Sequence, residues 1–121
     1  MSDRVRRPSR GDARRDLIAH LEHVRRSYGM SLAGTLLMEE PHNPRLIEIF
    51  RERMVLPQRQ VVGETIQQGI TRGQIRADID LESVLDLILG ALFAAVFARG
   101  RPGTAWPEQI VDTTWPALRL P

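Results

Sequence analysis

The sequence predicts an all-α protein of about five helices in an antiparallel bundle. Apolar residues recur at helical spacing in five segments, and no stretch alternates at the period of two that marks a β-strand. The 121 residues, 42% hydrophobic and 26% charged, can bury one sizeable core, so we expect one folded domain. Cysteine is absent, which excludes disulfide frameworks, thiolate nucleophiles and cysteine-bound metal sites.

Residues 1–11, MSDRVRRPSRG, are polar and lack apolar periodicity, so we expect a flexible Arg-rich arm before a helical domain of residues 12–121. Residues 1–15 hold six Arg against two Asp, whereas the whole chain carries a net charge of only +2. The body is therefore not a nucleic-acid-binding surface by charge. The arm itself is either a solvated tail or a weak, salt-sensitive contact for phosphates or acidic lipids.

The first predicted helix begins after Asp12, which can cap it, and ends near Gly29. Its apolar residues form one stripe at i, i+4, i+7 and i+11, namely Leu17, Leu21, Val24 and Tyr28. A short second helix is expected from Ser31 to about Glu40, where Pro41 stops it.

Asn43 followed by Pro44 is typical of a helix start. The long third helix keeps apolar residues at near-helical spacing through Leu46, Phe50, Met54, Val61, Val62, Ile66 and Ile70. Pro57 lacks an N–H and its ring clashes with the preceding turn, so it should kink this helix without ending it. Helical spacing lasts to Arg72, and Gly73 is the expected C-terminal cap.

Asp80 can cap the fourth helix, in which Leu87 to Ala98 is apolar on every side. Twelve residues are too few to cross a bilayer, which needs about 20. Because Asp86 and Arg99 bracket the run, we expect a helix buried by its own core and by a partner, and no membrane span.

A loop at residues 100–103 leads to the last helix, which starts at about Trp106 or Pro107. It continues through Trp115 and is expected to bend or end at Pro116.

Part of this pattern resembles a known family. Residues 43–97, and above all RGQIRADIDLESVLDLILGALF (Arg72 to Phe93), resemble the end of the long central helix, the tight turn and the dimer-forming helix of C-terminal domains in the TetR family of transcriptional regulators. A weaker similarity extends from GDARRDLIAHL to WPALRL, about 110 of the 121 residues. The resemblance implies a cytoplasmic, bacterial, ligand-sensing domain whose last two helices pair with their two-fold mates in a four-helix dimer interface.

Family members begin with a helix-turn-helix that reads DNA, and nothing here matches that motif. The eleven residues before the first predicted helix cannot form three helices, so we expect no sequence-specific DNA binding by this chain alone. The chain is then a fragment, a sequence with a misplaced start, or a stand-alone helical dimerisation module.

Small residues at i, i+4 and i+8 on the fourth helix would let another helix approach closely, either from a second copy or within the chain. We favour a homodimer, because a helix that is apolar all round cannot be wrapped by only four others. The predicted interface residues are Gly90, Ala94, Ala98, Ile110, Val111 and Trp115.

Met and aromatic side chains adapt to irregular apolar ligands, and several could line a cavity for a small apolar or amphipathic effector. These residues are Tyr28, Met38, Phe50, Met54, Phe93 and Phe97. Each residue alone fits a place in the core better than a ligand contact, and only the family resemblance favours a pocket.

Catalysis and metal binding find little support. No serine or threonine is placed beside a base in a nucleophile elbow, so we expect no enzyme activity and no cofactor. His20 and His23 lie three apart on one helix, but zinc sites need three or four ligands and His42 lies in a distant loop. We expect a solvated helix face there and no metal site.

Overall fold

A computed structural model describes residues 11–27, 35 and 38–121. Four helices lie within these residues. They are α1 (Ala13–Arg25), α2 (the consecutive stretches Pro44–Phe50, Arg51–Val55 and Leu56–Thr71), α3 (Leu81–Arg99) and α4 (Trp106–Leu118).

The predicted all-α class is confirmed. The described residues contain four helices where about five were predicted, and the second predicted helix, Ser31 to about Glu40, lies mostly outside them. Over the same residues the only β-type pairing is one isolated bridge between Ile75 and Arg119.

Helix α1 begins as predicted, with the Arg15 N–H donating to the Asp12 carboxylate at 3.3 Å. It ends at Arg25, earlier than the predicted Gly29. Its polar edge contacts α4, where the Arg14 guanidinium donates to Asp112 at 2.9 Å. Tyr28 and Gly29 lie outside the described residues.

Helix α2 begins at Pro44 as predicted and continues past Pro57. Its distortion takes the form of a π turn, Arg51–Val55, closed by the Leu56 N–H donating to the Arg51 carbonyl five residues back. A proline ring clashes with the carbonyl four residues earlier in a regular α-helix. The wider turn directly before Pro57 relieves that clash, so the helix continues to Thr71.

The predicted C-terminal cap of α2 is confirmed at Gly73, which has a φ of +77°. The Gln74 N–H donates to the Gly69 carbonyl at 2.8 Å, and the Gly73 N–H donates to the Ile70 carbonyl at 3.1 Å. This pair of bonds is the Schellman motif, which requires the left-handed conformation that glycine adopts at little cost.

The turn after α2 ties together the start of α1 and the end of α4. The Gln74 side chain donates to the Gly11 carbonyl at 2.7 Å and accepts the Ala13 N–H at 2.8 Å. The Arg76 N–H donates to the Leu118 carbonyl at 2.8 Å. One glutamine thus satisfies a backbone donor in the first turn of α1 that has no partner inside its helix.

All four helices except the first half of α2 contribute to one core. Its buried members are Ala13, Leu17, Leu21, Val24, Val62, Ile66, Ile75, Leu85, Ile88, Leu92, Trp106, Val111 and Leu118. Helix α4 starts at Trp106 as predicted and runs through Pro116 to Leu118, so of the two expectations, a bend or an end at Pro116, the end is wrong. Burial of Leu118 and the hydrogen bond to its carbonyl hold this last turn in place.

Helix α3 is long and apolar enough to cross a membrane by length and composition, with a mean hydropathy of 2.0. The expectation of no membrane span rested on the twelve-residue apolar run alone, whereas the whole helix has 19 residues. Its residues Leu85, Ile88, Leu92 and Ala95 are nevertheless buried within the chain. A core helix of a soluble protein meets the same criterion, so the finding is weak evidence for a membrane span.

Two glycines of α2 should respond in opposite ways to the same Ala substitution. A Cβ on Gly69 would lie 2.8 Å from the Ala13 Cβ and 2.6 Å from the end of Ile75, whereas one on Gly63 would lie 3.6 Å from Leu85. Gly63→Ala should stabilise the fold by about 0.5–1 kcal/mol through helix propensity. Gly69→Ala should destabilise it by about 1–2 kcal/mol, because overpacking outweighs that gain. Urea denaturation of both variants checks the prediction, and equal shifts would contradict it.

Candidate functional site

A small cavity lies between the end of α1, the π turn of α2 and the middle of α3. It is lined by Val24, Ser27, Phe50, Met54, Val55, Gln58, Leu89 and Phe93, and its volume is about 50 Å³. Three helices meet at this cavity. Two of them, α1 and α2, pack antiparallel. Ala13 meets Gly69 at one end, and Val24 meets the region of Phe50 at the other.

The six residues predicted from sequence to form a pocket separate into three groups. Phe50, Met54 and Phe93 line this cavity together. Met38 and Phe97 are not among its lining residues and are 79% and 66% exposed. Tyr28 lies outside the described residues.

Sequence reasoning missed Gln58, although a signal was present. Phe50, Met54 and Gln58 follow one another at four-residue intervals, so Gln58 occupies the place in the apolar stripe of α2 where another hydrophobic residue is expected. A polar side chain at such a place either finds a partner or faces a cavity. The structure shows that it lines the cavity.

A larger groove of about 900 Å³ runs between α2 and α3 on another side of α2. It is open to solvent, and its rim holds the Arg59 guanidinium, which donates to Asp86 at 2.9 Å and to Glu82 at 3.2 Å. Burial opposes ionisation of Arg59, but the hydrogen bonds to Asp86 and Glu82 outweigh it and raise the pKa of the guanidinium. The cation of this groove is therefore already neutralised by its own chain.

Arg25 of α1 forms an ion pair within its own helix and also holds the loop after α3. The Arg25 guanidinium donates twice to the Glu22 carboxylate, at 2.9 and 2.8 Å, and once to the Pro102 carbonyl at 3.1 Å. The hydrogen bond from Arg25 lowers the pKa of the Glu22 carboxyl. Neither charged residue lines the cavity nearby.

The side of α3 that faces away from the core is apolar and largely exposed. Leu87 is 70% exposed, and the predicted interface residues Ala94 and Ala98 are also exposed, while Gly90 is half-buried. We call Leu87, Gly90, Ala94, Phe97 and Ala98 the α3 face. It contains no charged residue and lies on the helix that also supplies Leu89 and Phe93 to the cavity.

The predicted interface residues of α4 lie differently. Ile110 and Trp115 are half-buried and pack against the core of the chain. Val111 is fully buried within that core, so its side chain is not available to a second chain.

Two titratable side chains are buried in α1. His20 is 4% exposed, which corrects the expectation that it lies on a solvated face. Asp16, one turn earlier, is 1% exposed, and neither of its carboxylate oxygens has a hydrogen-bond partner among the described residues. In the described part of the chain, no group of three or more His, Cys, Asp or Glu could hold a metal ion.

Comparison with known proteins agrees with this architecture. The family model described as "Tetracyclin repressor-like, C-terminal domain" matches residues 7–114. No curated protein matches the chain. Because the match covers most of the sequence, the chain belongs to the tetracyclin repressor-like C-terminal domain family.

Proposed function

We propose that this chain is the ligand-sensing and dimerisation domain of a cytoplasmic transcriptional regulator. Domains of this family typically bind ligands and dimerise in regulators. The observation that carries the proposal is the position of α3, which lines the cavity with Leu89 and Phe93 and carries the exposed α3 face on an adjoining side.

This arrangement gives a physical route from ligand to dimer. A molecule that enlarges the cavity must displace the π turn of α2 or the helix that holds Leu89 and Phe93. Movement of α3 changes the surface presented to a second copy. Ligand binding and dimer geometry are therefore linked by one coupling free energy. A ligand shifts that equilibrium only by the difference between its affinities for the two states.

A second copy of the chain is the proposed partner of the α3 face. A row of apolar and small residues this exposed is unfavourable in water, and its Gly and Ala positions allow close helix approach. Sedimentation equilibrium without detergent at micromolar concentration should give twice the chain mass of 13.7 kDa. A stable monomer would contradict the proposed homodimer, and a requirement for detergent would favour lipid as the covering of α3.

A stand-alone interaction module is the second candidate function. The small size of the cavity, about 50 Å³, favours it, because binding pockets for effector-sized molecules usually reach roughly 300–1,000 Å³. In this case the dimer would form, but no small molecule would bind in the cavity.

We also propose that this chain alone does not bind DNA sequence-specifically. Reading a sequence requires side chains at base edges, and the basic residues are concentrated in the arm, which suits phosphates only. Competition at about 150 mM salt, near physiological ionic strength, should release a labelled candidate operator as readily with random DNA as with operator DNA. A chain lacking residues 1–10 should lose the residual binding. Retention of the operator against a large excess of random DNA would contradict the prediction.

A further inference from the structure

We infer that the cavity binds an uncharged molecule with a small apolar body and one hydrogen-bonding group, held by the Gln58 side-chain amide. The inference rests on the proposed ligand-sensing function and names its ligand class. It follows from the charge, hydrogen bonding and size of the cavity.

Charge excludes ionic ligands. None of the described residues that line the cavity is charged, and most are aliphatic or aromatic. Of two cations nearby, Arg25 pairs with Glu22, and Arg101 is exposed and donates to the Ser27 carbonyl at 3.4 Å. A carboxylate or ammonium group entering the cavity would lose its hydration without gaining a counter-ion there.

Gln58 supplies the specific polar contact. Among the described lining residues it is the one amide side chain, and within the same part of the protein no hydrogen bond involves it. An amide both donates and accepts, so it can bind an alcohol, a carbonyl or an ether oxygen. The other polar lining residue, Ser27, already interacts with another residue of the chain.

Size limits the apolar body to a single small ring or a short chain. A cavity of about 50 Å³ has room for little more than water until a wall moves. Phe50 precedes the π turn, and Met54 and Val55 lie within it. π turns interrupt regular α-helical hydrogen bonding and are frequent at functional sites, so this wall is the one suited to move.

Four small aromatic probes of similar shape test the inference: benzyl alcohol, toluene, benzoate and benzylammonium. Titration into the ¹⁵N-labelled chain, followed by ¹H–¹⁵N spectra, reports affinity and place together. We expect benzyl alcohol to shift the amides of Leu89 and Phe93 and to bind more tightly than toluene. Both charged probes should bind at least tenfold more weakly than the alcohol.

The Gln58→Leu variant should remove the advantage of benzyl alcohol over toluene while toluene still binds. Gln60→Leu is the matched control, because Gln60 lies on the same helix, is exposed and lines the open groove instead. It should leave both affinities unchanged. An unchanged preference in Gln58→Leu overturns the role of Gln58.

The remaining outcomes separate this inference from the proposed function. Binding of benzoate or benzylammonium at Leu89 and Phe93 as tightly as benzyl alcohol overturns the ligand class but leaves ligand sensing intact. If no probe perturbs the cavity residues, both the ligand class and the sensing function are contradicted, and the interaction module is favoured.

Discussion

The Ala94→Arg variant should sediment as a monomer or aggregate under conditions where the unmodified chain is a dimer. Ala94 is exposed in the middle of the α3 face. In a symmetric dimer, the substitution places two guanidinium groups near the two-fold axis with no carboxylate on that face to pair with them. A buried charge that is left without a partner costs roughly 3–5 kcal/mol, so the dimer should weaken by more than a hundredfold.

Ala77→Arg is the control for added charge. Ala77 is also exposed but lies in the turn between α2 and α3, away from the α3 face. This variant should remain dimeric, and circular dichroism should show that both variants are helical. A dimer of normal strength in Ala94→Arg would place the interface elsewhere.

Replacing Asp16 by Asn should stabilise the protein, in contrast to most substitutions of buried residues. Asp16 is 1% exposed and neither carboxylate oxygen has a hydrogen-bond partner among the described residues. An unpaired buried charge costs several kcal/mol. The residue lies in the first turn of α1, where the helix dipole returns up to about 2 kcal/mol to a negative charge. Because the burial cost is larger, we expect Asp16→Asn to gain about 1–2 kcal/mol in the free energy of unfolding.

Asp12→Asn also removes one negative charge from the start of α1, but at a position where the carboxylate pays no burial cost. Asp12 is a partly exposed N-cap, and Asn caps helices as well as Asp does. Its free energy of unfolding should stay close to that of the unmodified chain in urea denaturation at pH 7. A loss of stability in Asp16→Asn would show that the carboxylate has a stabilising partner in solution.

Local signals predicted most of the helix boundaries. Capping at Asp12, the start at Pro44 and the glycine at position 73 each depend on residues within one or two turns, so the sequence carries them directly. The end of α4 depends on a contact between distant segments, the Arg76 N–H with the Leu118 carbonyl. Periodicity and propensity contain no information about such a contact, so the sequence leaves open whether Pro116 bends or ends the helix.

The candidate site also separates into features with local signals and features that depend on contacts between distant segments. Phe50, Met54 and Phe93 were predicted as Met and aromatic side chains that could line a cavity, and the structure places them around one cavity. Phe97 shares a stripe with Phe93, but four residues advance a helix by about 6 Å, which carries Phe97 past the cavity to an exposed position. The burial of His20 also escaped prediction, because a lone histidine at a stripe edge gives no sign of which helix will cover it.

The π turn gives α2 a spare residue. Its hydrogen bond spans five residues where a regular α-helix spans four, so the helix holds one residue more than its rotation requires. Loss of one residue from Arg51–Val55 would restore regular geometry and leave the faces on either side aligned. The same loss elsewhere in α2 would rotate one side against the other by about 100° and turn core residues such as Ile66 out of the bundle. Loss of one residue therefore keeps the faces of α2 aligned only at the π turn, where it would also restore the clash of the Pro57 ring.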